Sequence, residues 1–248
     1  NSERLSIRRK FNVEINIIKV CDLDYKLAKK LKIEKKLFTN NYNHIVEDPK
    51  IDCVVELIGG TTIAKTIADK AFKFNKHFVT ANKALIAMYG DKLSKVATKK
   101  NLHLMYEASV GGGIPLLNSI KESILTNEIK SFHGILNGTC NYILSEMHSL
   151  KDSFRNVLKR AQSLGYAEIS NPKFDLNGND TLSKVRILSA LAFNKKISRN
   201  KCLMNGIENI ELEDIEMASK LNFKIKLLAI TEIINNKLFE RVHPCLVK

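Results

Sequence analysis

Over its first 107 residues the chain alternates short apolar runs rich in β-branched residues with helical stretches, and few architectures tolerate that order. Residues 13–20 form the first such run and end in Cys21-Asp22-Leu23-Asp24, ahead of a lysine-rich helical segment. Residues 51–58 (IDCVVELI) read as a second strand closed by Gly59-Gly60, with a helix over 62–75. Residues 77–80 (HFVT) and 102–107 (LHLMYE) are further expected strands, separated by a helix over 83–100. Strands and helices alternating at this spacing predict a parallel sheet with its ligands at the carboxyl ends of the strands.

Those strand ends carry Asp22, Gly59-Gly60 followed by Thr61, Asn82-Lys83, and Glu107. In a dinucleotide-binding sheet an acid after the second strand accepts ribose hydroxyls, and glycines after a strand let the backbone approach a phosphate. A glycine pair also makes a plain tight turn, and a loop acid is ordinarily just solvated. Their joint position at successive strand ends favours the dinucleotide. The expected class is therefore α/β, with a Rossmann-type doubly wound parallel sheet. The G-x-G-x-x-G fingerprint is absent, so the first strand of that sheet is expected to be missing. The passage EASVGGGIP (residues 107–115) reads as a hinge, although its glycine triplet would equally serve as a linker. Beyond it come longer helices with strands such as residues 131–136. The expected division is a cofactor-binding domain over 1–115 and an α+β catalytic and dimerisation domain over 116–248.

Composition narrows the function classes. At 248 residues and 44% hydrophobic content the chain can bury one large or two modest cores. It has no run of eighteen apolar residues, and its opening, NSERLSIRRKFN, lacks the apolar stretch of a signal peptide. A soluble cytoplasmic protein with no membrane partner is expected. Five scattered cysteines suit reduced thiols and argue against a disulfide framework. The formal charge of +14 comes mainly from lysines spread along helical faces, without interleaved aromatics, and reads as solvated surface without specific nucleic-acid binding.

Residues 165–184, GYAEISNPKFDLNGNDTLSK, place Glu168, Asp175 and Asp180 just upstream of Lys184 and of an apolar helical run over 185–193. Asp180 and Lys184 are four apart with the acid first, which puts them on one helix face as a favourable ion pair. A neighbouring carboxylate keeps a lysine charged while burial lowers its proton affinity, and a lysine so placed can act as a general acid. An ordinary capped helix with a surface ion pair has the same spacing.

The chain resembles the homoserine dehydrogenase family through six motifs in order. They are VVELIGGT (54–61), TANK (80–83), YEASVGGGIP (106–115), GILNGTCNYIL (134–144), LGYAE with FDLNGNDTLSK (164–184), and IKLLA (225–229) followed by RVHP (241–244). The resemblance implies reduction of L-aspartate 4-semialdehyde to L-homoserine with NAD or NADP, towards threonine, methionine and isoleucine. It makes Lys184 the proton donor and Asp180 the carboxylate beside it. Glu168, Asp175, Asp180 and Thr139 become substrate contacts, with Asn137 beside them. Asp22, Gly59, Gly60, Thr61, Lys83 and Gly165 become cofactor contacts. Glu107, with the main-chain carbonyls of Val110, Gly112 and Ile114, resembles a site for a monovalent cation, sodium.

The resemblance also implies a homodimer or higher oligomer when the protein is complete. Asp22 stands where many relatives carry an arginine suited to NADP, a lean towards NAD or dual use. The likeness ends just past RVHP, so the chain reads as an incomplete copy expected to bind cofactor poorly by itself. The alternatives are a related dehydrogenase of another amino-acid aldehyde or imine, and an inactive basic fragment.

Overall fold

A computed structural model describes residues 4–248. The chain divides into two compact units: one takes residues up to Ile58 with Thr62–Val79 and Lys92–Met105, the other Gly59–Thr61, Thr80–Asp91 and Tyr106–Lys248.

In the first unit, helix α1 (Arg4–Phe11) ends at Asn12. Of the run over residues 13–20, expected to be a strand, only Val20–Cys21 (β1) is one. Val13, Ile15 and Ile17 are half exposed, and among the described residues their backbone has no neighbouring strand to pair with, so β-branched composition alone does not make a ladder. Asp24 caps helix α2 (Tyr25–Lys30) by accepting the N–H groups of Lys26 and Leu27. Strand β2 (Phe38–Thr39) pairs in parallel with β1, Val20 opposite Phe38. After the short helix α3 (Asn43–Val46) comes a three-stranded sheet of β3 (Cys53–Glu56), β4 (His77–Thr80) and β5 (Leu104–Met105), with β4 central and parallel to β5.

Helix α4 (Thr62–Lys73) precedes β4, and α5 (Lys83–Lys99) leads to β5. The buried residues of α4, namely Ala64, Ile67, Ala68, Ala71 and Phe72, fall three or four apart on one stripe, and Phe72 meets Phe78 of β4 edge-on. Strands β3 and β5 are shorter than the apolar runs that announced them. For β5 the cause is local: Glu107–Ser109 turns at once into a 3₁₀ helix.

The second unit holds α6 (Leu116–Ser123), β6 (Ser131–Gly134), α7 (Gly138–Leu150), α8 (Phe154–Ser163), α9 (Lys173–Leu176) and α10 (Asn179–Ala192). It ends with β7 (Leu203–Met204), α11 (Leu212–Lys220), β8 (Lys224–Ile234) and β9 (Lys237–Val247). Its sheet runs β6-β8-β9-β7, with β8 antiparallel to both neighbours and β7 parallel to β9. The β8–β9 hairpin turns on Asn235-Asn236, both with positive φ, as a two-residue turn that matches strand twist requires. Helices α7, α10 and α11 pack on β8, and Ile143, Met147, Val185, Ile215, Leu227, Ala229 and Val242 form one dry core between helices and sheet.

Two backbone choices recur. Helices α1, α4, α5, α10 and α11 each give way to an asparagine with positive φ: Asn12, Asn75, Asn101, Asn194 and Asn222. Gly206, by contrast, is held by close approach, since a Cβ there would collide with the Leu176 carbonyl oxygen and the Asn177 backbone.

Candidate active site

In the second unit, polar groups from three elements converge on one buried carboxylate. Helix α10 opens after Gly178, so Asp180 lies in its first turn and Lys184 one turn later on the same face. Asp180 is only 2% exposed. Its Oδ2 lies 2.8 Å from Lys184 Nζ and accepts the Asn137 amide at 2.8 Å, while Oδ1 lies 2.7 Å from Lys83 Nζ.

Lys83 is delivered by a braced turn between β4 and α5. Thr80 Oγ1 accepts the Asn82 N–H at 2.9 Å, Asn82 Oδ1 accepts the Leu85 N–H at 3.0 Å, and Asn82 Nδ2 donates to the Gly60 carbonyl at 2.6 Å. Phe174 lies below the Lys83 ammonium, 6.0 Å from ring centre to nitrogen, where ring and cation attract.

Asn137 ties the cluster together. Its Oδ1 caps α7 by accepting the Cys140 N–H at 2.7 Å, and the two hydrogens of Nδ2 go to Asp175 Oδ1 and Asp180 Oδ2, each at 2.8 Å. The cap was readable from the motif, but the bridge to two carboxylates 38 and 43 residues away was not. Lys184 Nζ also donates to the Leu136 carbonyl at 2.7 Å. An ammonium has three donors, so one N–H of Lys184 is left for a ligand.

Burial pushes the Asp180 carboxyl up, but Lys184, Lys83 and Asn137 outweigh it and hold the group below its ordinary value of 3.8. Asp180 is therefore an anion fixed between two cations. Beside it the Cys140 thiol, buried and facing Asp175 and Asp180, is pushed up to about 12, and its Sγ donates to the Asp175 carbonyl. A thiol in that state is a packing group, not a nucleophile.

The remaining candidates lie as follows. Thr139 donates through Oγ1 to the Tyr166 carbonyl at 2.6 Å, and the Tyr166 ring stacks on Tyr142. Glu168 is exposed, and among the described residues its carboxylate has no hydrogen-bond or ion-pair partner. Gly165 is exposed with positive φ. Gly59 and Gly60 both have positive φ with open space where a Cβ would stand, and Thr61 follows them immediately before α4. Such a bare backbone turn fits the phosphates of a dinucleotide. Asp22, in the first unit, is exposed at the end of β1, with Oδ1 accepting the Asp24 N–H at 2.8 Å.

Glu107 does something its motif did not announce. Its carboxylate accepts the N–H groups of Leu117 at 2.8 Å and Asn118 at 3.1 Å, so it closes the amino end of α6. The Ile114 carbonyl accepts the Leu116 N–H at 2.7 Å, Val110 is fully buried, and Gly112 has positive φ.

Comparison with known proteins accounts for both halves. Residues 3–107 match the family model "Homoserine dehydrogenase, NAD binding domain", and residues 115–248 match the model "Homoserine dehydrogenase". The homoserine dehydrogenase of Neisseria gonorrhoeae is 42% identical over 247 residues, covering 100% of this chain and 56% of that protein. A crystal structure of a homoserine dehydrogenase from Thiobacillus denitrificans superposes with a TM-score of 0.91 at 38% identity, covering 98% of this chain and 58% of that one. A hyperthermophilic archaeal homoserine dehydrogenase in complex with NADPH shares the fold, with a TM-score of 0.78 at 23% identity over 99% of this chain and 77% of that one. The chain thus spans a little over half the length of the curated relatives it matches. Matches in the same order through both halves make the chain a member of the homoserine dehydrogenase family.

Proposed function

We propose that the protein carrying this chain reduces L-aspartate 4-semialdehyde to L-homoserine, reversibly, on the route to threonine, methionine and isoleucine. The observation that carries the reading is Asp180 held between Lys83 and Lys184 at 2.7 and 2.8 Å. A bound nicotinamide dinucleotide, NAD or NADP, would supply the hydride. Gly59, Gly60 and Thr61 would meet its phosphates, with Gly165 beside it and Asp22 at its ribose; the acid at Asp22 favours NAD or dual use.

Lys184 gives its free proton to the carbonyl oxygen as that oxygen becomes an alkoxide, and takes it back in the oxidation direction. Asp180 keeps Lys184 aimed and charged, and Lys83 adds positive charge on the same carboxylate. Glu168, Asp175 and Thr139 are the proposed contacts for the amino-acid end of the substrate. The accessible carboxylate of Glu168 suits an ammonium group. Glu107 with the carbonyls of Val110, Gly112 and Ile114 is the proposed sodium site, supported by a carboxylate and main-chain oxygens, hard donors that lie within eight residues of chain. We place the domain division at Pro115, the protein in the cytoplasm, and its assembled state at a homodimer or higher. Among the described residues no helix is long and apolar enough to cross a membrane, and the five cysteines are free.

The test is NADH and NADPH oxidation on adding aspartate 4-semialdehyde to the full-length protein, with Lys184→Ala beside it. Turnover that disappears in the variant supports the reaction and the donor together. A folded protein without turnover on this aldehyde, but active on another amino-acid aldehyde or imine, overturns the substrate and keeps the site.

A further inference from the structure

Away from the Asp180 cluster, a second set of polar groups in the same unit has no role in the proposed reaction. Asn141, Ser145, His148 and Ser149 recur at spacings of four, three and one along α7, which places them on one stripe of the helix. Lys224 and Lys226 start β8 two residues apart, on the same face of the strand. Ser145, His148, Ser149, Lys224 and Lys226, with Leu144 and Ile225, line a shallow, solvent-open cavity of about 70 Å³.

Lys226 Nζ donates to Asn141 Oδ1 at 2.9 Å and to Ser145 Oγ at 2.7 Å, and the Ser145 hydroxyl donates to the main-chain carbonyl of Asn141 at 2.6 Å. Those acceptors are neutral. Among the described residues neither Lys224 nor Lys226 has a carboxylate ion-pair partner. Burial, and then the neighbouring Lys224, push the Lys226 ammonium below the ordinary lysine value, the cost of holding two cations together without an anion. The third N–H of Lys226 is uncommitted, and the Ser149 hydroxyl and the His148 ring add further donors at the same cavity.

From this juxtaposition we infer that the cavity between α7 and the start of β8 binds a phosphate-class oxyanion, held by Lys224, Lys226, His148 and Ser149. An oxyanion there would neutralise the two ammonium groups and take several charge-assisted hydrogen bonds at once.

The test is a titration of the full-length protein with inorganic phosphate, following the His148 ring signal by NMR, with chloride at matched ionic strength as the control. The expected result is a saturable shift of His148 alone among the histidines, with a dissociation constant on the order of 1 mM. Lys224→Ala, an exposed position, should weaken it about tenfold, and Lys226→Met should abolish it. O-phosphoserine titrated alongside separates a free ion from a phosphomonoester, since the true class moves the ring at the lower concentration. A His148 signal that is unmoved, that moves equally with chloride, or that moves undiminished in Lys224→Ala overturns the inference.

Discussion

Lys184 and Lys226 lie in the same unit, both partly buried and both donating two hydrogen bonds, yet their electrostatic settings are opposed. Lys184 leans on a buried carboxylate that it and Lys83 keep ionised. Lys226 leans on an amide and a hydroxyl, beside another cation. The contrast teaches that a lysine among polar partners does not by itself mark reaction chemistry. What distinguishes Lys184 is the fixed anion behind it, since each lysine keeps one N–H free.

The largest expected effect is on catalysis. Lys184→Ala should lower turnover about a thousandfold with the fold retained, checked by steady-state rates and circular dichroism, because a positioned proton donor contributes at that scale. Comparable turnover in the variant would erase the distinction between the two lysines. Asp180→Ala comes next. Removing the shared anion leaves two ammonium groups facing each other and should cost about 3 kcal/mol in urea unfolding.

Acid should act on the same element more gently. The Asp180 carboxyl has a lower pKa folded than unfolded, so its contribution is fully present above the ordinary value of 3.8 and is lost as pH falls through the folded value. Asp180→Asn should therefore flatten the loss of stability below that pH in acid-unfolding curves. Lys226→Met is expected to be the mildest, within about 1 kcal/mol of the parent in urea and unchanged in turnover, since a cation without an anion gives up little when replaced by an apolar side chain of similar length.

The chemical core of the site was legible because Asp180 and Lys184 belong to one helix, where a spacing of four has one geometric meaning. Lys83 and Asn137 reach the same carboxylate through tertiary packing, for which no local periodicity exists; Lys83 was marked by its place at a strand end and Asn137 through likeness, and neither signal joined them to Asp180. Glu168 is adjacent in sequence but solvent-facing, which no pattern in a Gly- and Asn-rich loop encodes.

In the fold, residues 53–56 and 77–80 were readable because their β-branched and aromatic side chains also find partners. Residues 13–19 show the limit, having strand composition without a neighbouring strand among the described residues. The long β8–β9 hairpin had a signal that went unread: two asparagines between alternating runs stand in for the usual Asn-Gly.

That habit of placing asparagine where the backbone turns left-handed reaches beyond the hairpin. Five helices hand over to asparagine, while glycine occupies the open turn at residues 59–60 and the positive-φ pair at 111–112. Helix α8 instead gives way to Gly165 and α7 to Lys151, so asparagine is the commoner helix terminator here but does not hold that role alone. An engineer can replace Asn75, Asn101 or Asn222 by glycine to relax a helix end without disturbing any glycine a ligand would touch.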